Sequence, residues 1–378
     1  MSARILILTQ PGDVHAFAVE EALRQKGAEP VIWLTSDFPM IAEETVLFER
    51  GEARMALTGP GFAVRGAGPR FDTIWRRRPA HVIDPQRLHP ADIRFASREC
   101  VLFRKGLFHL LDAGEFWINP FEAAVRANLK LLQLKLALDI GLAIPDSLFG
   151  NDPQEIRAFI RRHGGRVVYK PLRGTAWTGS ESSWMTYTAT VTEEMLVGDD
   201  VLRLTPGIFQ EVVEKEYELR ITAMGRRMLG VRIFSQESEA GRLDWRKAYD
   251  ELRMEPYHVP AWLAERCHKL LQRLGLVFGC FDFIVTPQGT HVFLEINEMG
   301  QFLFLEYYTD LPVLDAFAEF LLQRRLDFAW KPKEASVRAS QVVPLAERTL
   351  KDLAPRHAIP PQDAEWEETP GEAPATQP

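Results

Sequence analysis

The sequence predicts a mixed fold: α/β in the N-terminal part, as a parallel sheet, and α+β beyond it. Three observations carry that expectation. An apolar run at 4–9, a helical stretch at 15–26 and a second apolar run at 31–34 form a βαβ unit. The order strand, helix, strand returns at 145–169. Residues 278–285 and 291–296 are strand-like runs joined across Thr286-Pro287-Gln288-Gly289, a hairpin signature.

In chain order, residues 4–9 are apolar throughout, as in a strand buried on both faces. Pro11-Gly12 turn the chain, Phe17, Val19 and Leu23 fall at helical spacing, and Gly27 stops that helix. This first turn lacks G-x-G-x-x-G, so the dinucleotide fingerprint is absent. Residues 51–69 are Gly-rich and read as irregular. A strand at 71–75 runs into Arg76-Arg77-Arg78-Pro79, followed by a helix at 90–111 and a short edge strand at 115–119. Pro120 starts one long helix to Ile140, with Val125, Leu129, Leu132, Leu136 and Ile140 on one face, and Gly141 stops it. A strand at 145–149, a helix at 153–162 and a strand at 166–169 lead to Lys170. Residues 173–183 are small and polar, the composition of a mobile loop. Strands follow at 208–213, 217–224 and 228–234, then a helix at 260–274, the hairpin, and a last helix at 312–324.

The expected domains are 1–118, 119–205 and 206–330, with a Pro-rich acidic tail at 331–378. That tail holds eight prolines and few large apolar residues. Its ordering entropy is not offset by burial, so disorder is expected there.

A chain of 378 residues allows two or three domains at about 150 residues each. Lys plus Arg is 45 and Asp plus Glu is 52, a formal charge of −7. That is a poor footprint for sequence-independent nucleic-acid binding. Cys100, Cys267 and Cys280 lie far apart with no C-x-x-C, which disfavours a disulfide framework or a zinc site. No run approaches the roughly 20 apolar residues of a membrane span. The apolar residues at 5–8 are too few for a signal-peptide core. The expectation is a soluble cytoplasmic protein, with no nucleic-acid or membrane partner.

The sharpest chemical signal is the hairpin. If Val285 pairs with Thr290, Asp282 faces Phe293, and Asp282, Glu295 and Asn297 share one face, because side chains alternate. Phe281, Phe283, Val285, Val292, Leu294 and Ile296 then make the apolar face. Two carboxylates and an amide oxygen are hard ligands suited to Mg²⁺ that also touches phosphate. The alternative is a solvated polar face, and a loop of odd length would flip the register.

Lys170 closes a strand and precedes a loop of Gly, Ser and Thr. Such a loop can form an anion nest, to which the ammonium adds a point charge. The alternative is an exposed lysine before an ordinary loop. No Gly-Lys dipeptide occurs, so any nucleotide site is not a P-loop. In Phe209-Gln210-Glu211-Val212-Val213, an apolar strand could form a hinge beside a purine. Glu218, Arg220 and Thr222 share a strand face with Leu219, Ile221 and Ala223 behind. Glu218 could accept from ribose hydroxyls, and Arg220 could grip a phosphate or carboxylate bidentately. The alternative is an amphipathic strand with a surface ion pair. Nine histidines form no HExxH, and GxSxG is absent, so a hydrolase triad is unsupported. Arg76 to Arg78 could bind an anionic ligand, though a short basic run is more often a solvated face.

The order of these signals resembles the ATP-grasp ligase superfamily. Val-Tyr-Lys-Pro-Leu (168–172), Gly-Ile-Phe-Gln-Glu (207–211), Tyr-Glu-Leu-Arg-Ile-Thr (217–222), Ile-Phe-Ser-Gln (233–236), Asp-Trp-Arg (244–246) and Phe-Leu-Glu-Ile-Asn-Glu-Met-Gly-Gln-Phe (293–302) resemble its microviridin-type subfamily, the graspetide synthetases. Thr-Ser-Asp-Phe-Pro (35–39), Trp-Arg-Arg-Arg-Pro (75–79) and Asn-Asp-Pro (151–153) add to the likeness, which covers about residues 4–328. The resemblance implies an ATP-grasp fold behind an N-terminal parallel α/β (pre-ATP-grasp) domain, with two lobes clamping ATP and Mg²⁺. It implies Lys130 and Lys170 as phosphate lysines, Glu211 and Val213 as adenine contacts, and Glu218 as the ribose ligand. Asp282, Glu295 and Asn297 take the place of the metal ligands, Arg220 that of the acyl-phosphate stabiliser. Arg246, beside Asp244, is placed to touch a substrate peptide. The subfamily often has Pro after the Asn, where this chain has Glu298. An acid there could add charge beside the metal or change substrate contacts.

The implied activity is ATP-dependent macrocyclisation of a ribosomal precursor peptide, made of leader and core. An Asp or Glu side chain is phosphorylated and then linked to Thr or Ser as an ester, or to Lys as an amide. The resemblance also suggests a homodimer. A second possibility is a carboxylate–amine ligase using a free amino acid or small amine, which shares every ATP-site residue. A third is a binding module that has lost catalysis, against which the intact Lys, Asp, Glu and Asn set stands.

Overall fold

The computed structural model describes residues 2–66, 71–111, 115–172, 176–178, 183–185, 188–248 and 251–360. They form two compact units, one of Met1–Glu122 with Pro312–Pro378 and one of Ala123–Leu311.

The first unit contains β1 (Arg4–Thr9), β2 (Glu29–Leu34), β3 (Glu43–Glu49), β4 (Glu52–Gly59), β5 (Phe62–Gly66), β6 (Thr73–Arg76) and β7 (Phe116–Ile118). A parallel sheet runs in the order β2-β1-β6-β7, with β1 central and its residues Ile5 to Leu8 fully buried. This is the βαβ unit that the apolar runs predict. Strands β3, β4 and β5 form a separate antiparallel sheet. The expectation of an irregular stretch from residue 51 is therefore corrected: glycine there turns hairpins. Gly51 and Gly61 hold φ of 80° and 70°, the left-handed conformation that a tight hairpin turn demands.

The C-terminal expectation is also corrected. Beyond residue 330 the chain forms the helix Ala339–Leu353, which packs on the helix Val14–Gln25 of the same unit. Its buried residues Ala339, Val342 and Ala346 lie at helical spacing. Small apolar residues suffice for a close helix pair, which a count of large ones overlooks. Two buried aspartates tie the segment down. Asp315 accepts from the backbone N–H of Ser336 and Val337 at 3.0 and 3.1 Å and pairs with Lys26 at 2.8 Å. Asp37 meets His357 Nδ1 at 2.7 Å and accepts from Ala358 N–H at 2.9 Å. Residues 361–378 lie outside the described residues.

The second unit contains β8 (Ser147–Gly150), β9 (Val167–Lys170), β10 (Ala176–Thr178), β11 (Ser183–Met185), β12 (Ala189–Val191), β13 (Gly207–Glu211), β14 (Tyr217–Met224), β15 (Arg227–Ile233), β16 (Met254–Tyr257), β17 (Phe278–Val285) and β18 (His291–Asn297). One antiparallel sheet has the order β12-β9-β13-β8. The helix Pro153–Arg162 covers one of its faces through Ile156, Phe159 and Ile160. Asp152 caps that helix, its Oδ1 accepting the Gln154 N–H at 2.8 Å. The other sheet has the order β16-β15-β14-β17-β18 and is antiparallel throughout. The helices Ala261–Leu274 and Lys130–Asp139 pack with its apolar face. Of the expected mobile loop at 173–183, the described residues 176–178 and 183 belong to the β10–β11 pair, and the rest lies outside the described residues.

The long helix expected from Pro120 to Ile140 is two helices, Phe121–Ala127 and Lys130–Asp139. Leu129 between them is extended, and its side chain is 56% exposed rather than on the buried face. Neither Pro nor Gly marks this break. At the break Gln133 Nε2 donates to the Ala127 carbonyl at 2.5 Å.

Candidate active site

A cleft of ≈ 810 Å³ lies in the second unit, lined by residues of both sheets. Its floor is the polar face of the five-stranded sheet. In β14, Leu219, Ile221 and Ala223 enter the core while Glu218 and Arg220 line the cleft, the alternation that the sequence predicts.

The neighbouring hairpin departs from expectation in an instructive way. Val285 pairs with His291, not Thr290, because Thr286 to Thr290 make a five-residue loop. That odd length puts Phe293 opposite Phe283, and both are fully buried in the core. A bulge then occurs: Asp282 pairs with Glu295, leaving Leu294 as the extra residue. Leu294 consequently lines the cleft instead of the core. The bulge restores the face that the loop had flipped, so Asp282 and Glu295 lie directly opposite each other and both line the cleft.

Each carboxylate has its own cation. Arg220 Nη1 meets Asp282 Oδ2 at 2.5 Å, and Lys130 Nζ meets Glu295 Oε2 at 3.0 Å. Burial raises the Asp282 carboxyl above its ordinary range, and Arg220 opposes that rise. Lys130 holds the Glu295 carboxyl well below its ordinary range against the effect of burial. Burial disfavours the Arg220 charge, but Asp282 more than offsets this and pushes its pKa up. Two hard carboxylates at facing positions fit a divalent cation that also contacts phosphate. Asn297 lines the same cleft, but its Oδ1 accepts the N–H groups of Met299 and Gly300 at 3.1 and 2.9 Å. In this arrangement it holds the turn after β18.

The opposite wall is β9 and β13. Lys170 Nζ donates to Gln210 Oε1 at 2.8 Å, and Gln210 Nε2 donates to Ser147 Oγ at 2.9 Å. Burial pushes the Lys170 pKa down. Glu218 is buried beside Lys215, with Nζ to Oε1 at 2.7 Å, and burial raises its carboxyl. Val213 lines the cleft after β13. The Glu211 carboxylate turns elsewhere: its Oε1 accepts the Asp146 N–H at 3.0 Å and its Oε2 lies 3.9 Å from His163 Nδ1. Its backbone N–H is also taken, donating to the Asp146 carbonyl at 3.0 Å. Asp244 is buried and Arg246 exposed at the cleft rim, paired at 2.6 Å. Trp245 stacks on Phe304 between them and the floor, with centroids 5.4 Å apart.

No protein-family model matches the chain, and no curated protein matches it. Solved structures do. The macrocyclase MdnB from Microcystis aeruginosa MRC is 30% identical, covering 85% of this chain and 99% of its own, with a TM-score of 0.69. A RiPP-associated ATP-grasp ligase from Chryseobacterium gregarium, solved with ADP and a leader and core peptide, is 28% identical. It covers 89% of this chain and 100% of its own, with a TM-score of 0.75. The chain belongs to the macrocyclase family of RiPP-associated ATP-grasp ligases. The macrocyclase MdnC of the same Microcystis strain, solved with precursor peptide MdnA, is 27% identical over 85% of this chain and 99% of its own, with a TM-score of 0.74. The two-sheet cleft of the second unit is accordingly an ATP-grasp fold. Among the described residues, no helix of this macrocyclase-family chain is long and apolar enough to cross a membrane.

The sequence did not single out Gln133, Gln210 or Lys215 as site residues. Gln210 has a local signal, since it sits beside Glu211 in a quoted motif, and Lys215 lies three residues before Glu218. Gln133 has only a weak one, an amide on the buried side of a helix. Glu298 takes a place that local pattern does not show. It is buried, and its Oε1 accepts from Asn128 Nδ2 at 3.3 Å, in the break before Lys130. The contact ties it to the helix junction.

Proposed function

We propose that this protein is an ATP-dependent macrocyclase of a ribosomal precursor peptide. One observation carries the reading: Asp282 and Glu295 face each other in the cleft, each matched by a cation, with Lys170 across from them. The ADP and leader and core peptide of the Chryseobacterium ligase and the precursor of MdnC support it.

ATP lies with its purine beside Glu211 and Val213 and its ribose at Glu218. Lys130 and Lys170 take the phosphates. Asp282 and Glu295 would hold Mg²⁺, and Asn297 would join them on giving up one hydrogen bond of its turn. Mg²⁺, when bound, neutralises charge on the phosphate oxygens. A substrate Asp or Glu carboxylate attacks the γ-phosphorus, the bond to ADP breaks, and an acyl phosphate forms. Arg220, aimed at the Asp282 side of the cleft, stabilises the charge that develops. A Thr or Ser hydroxyl or Lys amine of the same peptide then attacks the acyl carbon and expels phosphate. Asp244 and Arg246 at the rim contact the peptide. The clamp keeps out water that would hydrolyse the acyl phosphate. The assembly is proposed to be a homodimer.

The test uses a short acidic peptide with Thr, Ser or Lys encoded beside this gene, incubated with the protein, ATP and Mg²⁺. The expected result is loss of whole waters from the peptide with matching ADP release. Hydrolysis in mild base then separates ester from amide. ADP formed only with free amino acids moves the assignment to a carboxylate–amine ligase, and no ADP under either condition removes both.

The lysine supplies a pH prediction. Burial lowers the Lys170 pKa, so its charge is lost at a lower pH than the 10.5 of an exposed lysine. ADP affinity should therefore fall as pH rises through the lowered value. Calorimetric titration across alkaline pH checks this. Lys170→Met should bind more weakly and show a flatter profile. A wild-type profile no steeper than that of Lys170→Met would remove Lys170 from the phosphate site.

A further inference from the structure

Gln133 occupies the buried side of the helix Lys130–Asp139 at 3% exposure, among apolar neighbours. Its amide makes three hydrogen bonds. Nε2 donates to the Ala127 carbonyl at 2.5 Å and to the Ile296 carbonyl at 2.9 Å. Oε1 accepts the Ile296 N–H at 2.9 Å. An amide side chain has two donor hydrogens and two acceptor sites, so Gln133 uses nearly its whole capacity here.

The placement is specific. β18 is an edge strand, and an edge offers backbone groups that no further strand satisfies. At Ile296 the Gln133 amide takes the part of the missing strand's peptide. Farther along the same edge, Phe293 N–H bonds the Ala143 carbonyl at 2.8 Å. Ile296 stands between Glu295 and Asn297. Lys130 opens the helix one turn before Gln133, and its ammonium meets Glu295. The third bond, to Ala127, closes the end of the preceding helix and so fixes the break that sets Lys130 at a helix start. Asn128 ties the same break to Glu298, just past β18.

We propose that Gln133 is a positioning residue that sets the register between the helix carrying Lys130 and the strand carrying Glu295; this rests on the nucleotide-site reading above. Apolar packing alone would hold the two elements together but allow sliding along the edge. A slide of one residue along the strand edge displaces the helix by about 3.3 Å relative to Glu295. Bonding both the N–H and the carbonyl of one residue forbids that slip. It therefore fixes how far a phosphate-binding lysine stands from a metal-site carboxylate.

Gln133→Met keeps the length of the side chain and removes all three bonds. The expected result is a KM for ATP raised about tenfold with the peptide KM within about twofold. The Ile296 amide should lose about tenfold of its hydrogen-exchange protection. Gln133→Glu keeps an acceptor for the Ile296 N–H but turns oxygen toward two carbonyls. It should recover part of that protection without recovering the ATP KM. If Gln133→Met does not fold, Gln133→Glu and Asn128→Ala carry the same two readouts. A folded Gln133→Met with unchanged ATP KM overturns the proposal. So does an equal rise in both KM values with unchanged Ile296 exchange, which is the mark of a general packing role. A wild-type protein that binds no ADP overturns the nucleotide-site reading instead. The exchange measurement needs no nucleotide and still decides whether Gln133 clamps the strand.

Discussion

Glu295→Gln is expected to lower precursor-dependent ADP release by about a thousandfold, the order found when a preorganised charged contact to the transferring group is lost. The substitution preserves shape and removes only charge. Lys130 keeps the Glu295 carboxylate ionised, so a full negative charge stands opposite Asp282 in the wild-type cleft. Asp282 is already matched by Arg220. Without Glu295, the cleft has Lys130 and Lys170 facing a single, compensated carboxylate. A divalent cation loses its second hard ligand, while bare nucleotide phosphates lose a repelling neighbour. The two consequences have opposite signs. ADP affinity measured with Mg²⁺ should fall in Glu295→Gln, and affinity measured in excess EDTA should hold or rise. Titration calorimetry under both conditions reads them separately. Retained activity, or an equal loss of affinity with and without Mg²⁺, would remove Glu295 from the metal site.

What the sequence discloses of this site depends on how regular each element is. β14 is legible in full, because Tyr217 to Met224 pair without interruption with β17 and nearly so with β15, and alternation alone then places Glu218 and Arg220. β18 is not. Its five-residue loop and the bulge at Leu294 each shift the register by one. The two shifts restore Asp282 and Glu295 to a common face but exchange the expected places of Phe293 and Leu294. Pattern therefore finds the carboxylate pair and misplaces its neighbours. The break before Lys130 is invisible to local rules: neither Pro nor Gly marks it, and the amide that bonds its Ala127 carbonyl also reaches a strand 163 residues away. A continuous apolar stripe also suits the unbroken helix that the spacing predicts. Lys130 entered the candidate set only through resemblance, and its meeting with Glu295 comes from the fold. The C-terminal helix escaped for a different reason. Composition averages over 331–378, whereas packing uses Ala339, Val342 and Ala346 at one helical face.

Arg220→Met should cost both stability and turnover, and the two losses separate with pH. Arg220 and Asp282 are largely shielded from water, with side chains 7% and 19% exposed. Arg220 also donates from Nη2 to the Gln301 carbonyl at 3.2 Å. Removing one member of a buried pair leaves the other uncompensated, a destabilisation on the order of 3 kcal/mol. The size depends on whether Asp282 is ionised. Burial already raises its carboxyl, and Arg220 is the main opposing influence. In the variant that opposition is gone, so the folded-state pKa of Asp282 rises further. A carboxyl with a raised folded pKa binds more protons folded than unfolded, so the stability it contributes falls as pH rises. The gap in melting temperature between wild type and Arg220→Met should therefore be small near pH 4 and widen toward about pH 7. Arg220→Lys restores charge without the planar fork. It should recover most of the melting temperature while leaving turnover low, because a single ammonium cannot both hold Asp282 and span a developing acyl phosphate. A constant gap across pH would break the link between Arg220 and the Asp282 charge. Full turnover in Arg220→Lys would show that the cleft needs only a positive charge at this position and no bidentate contact.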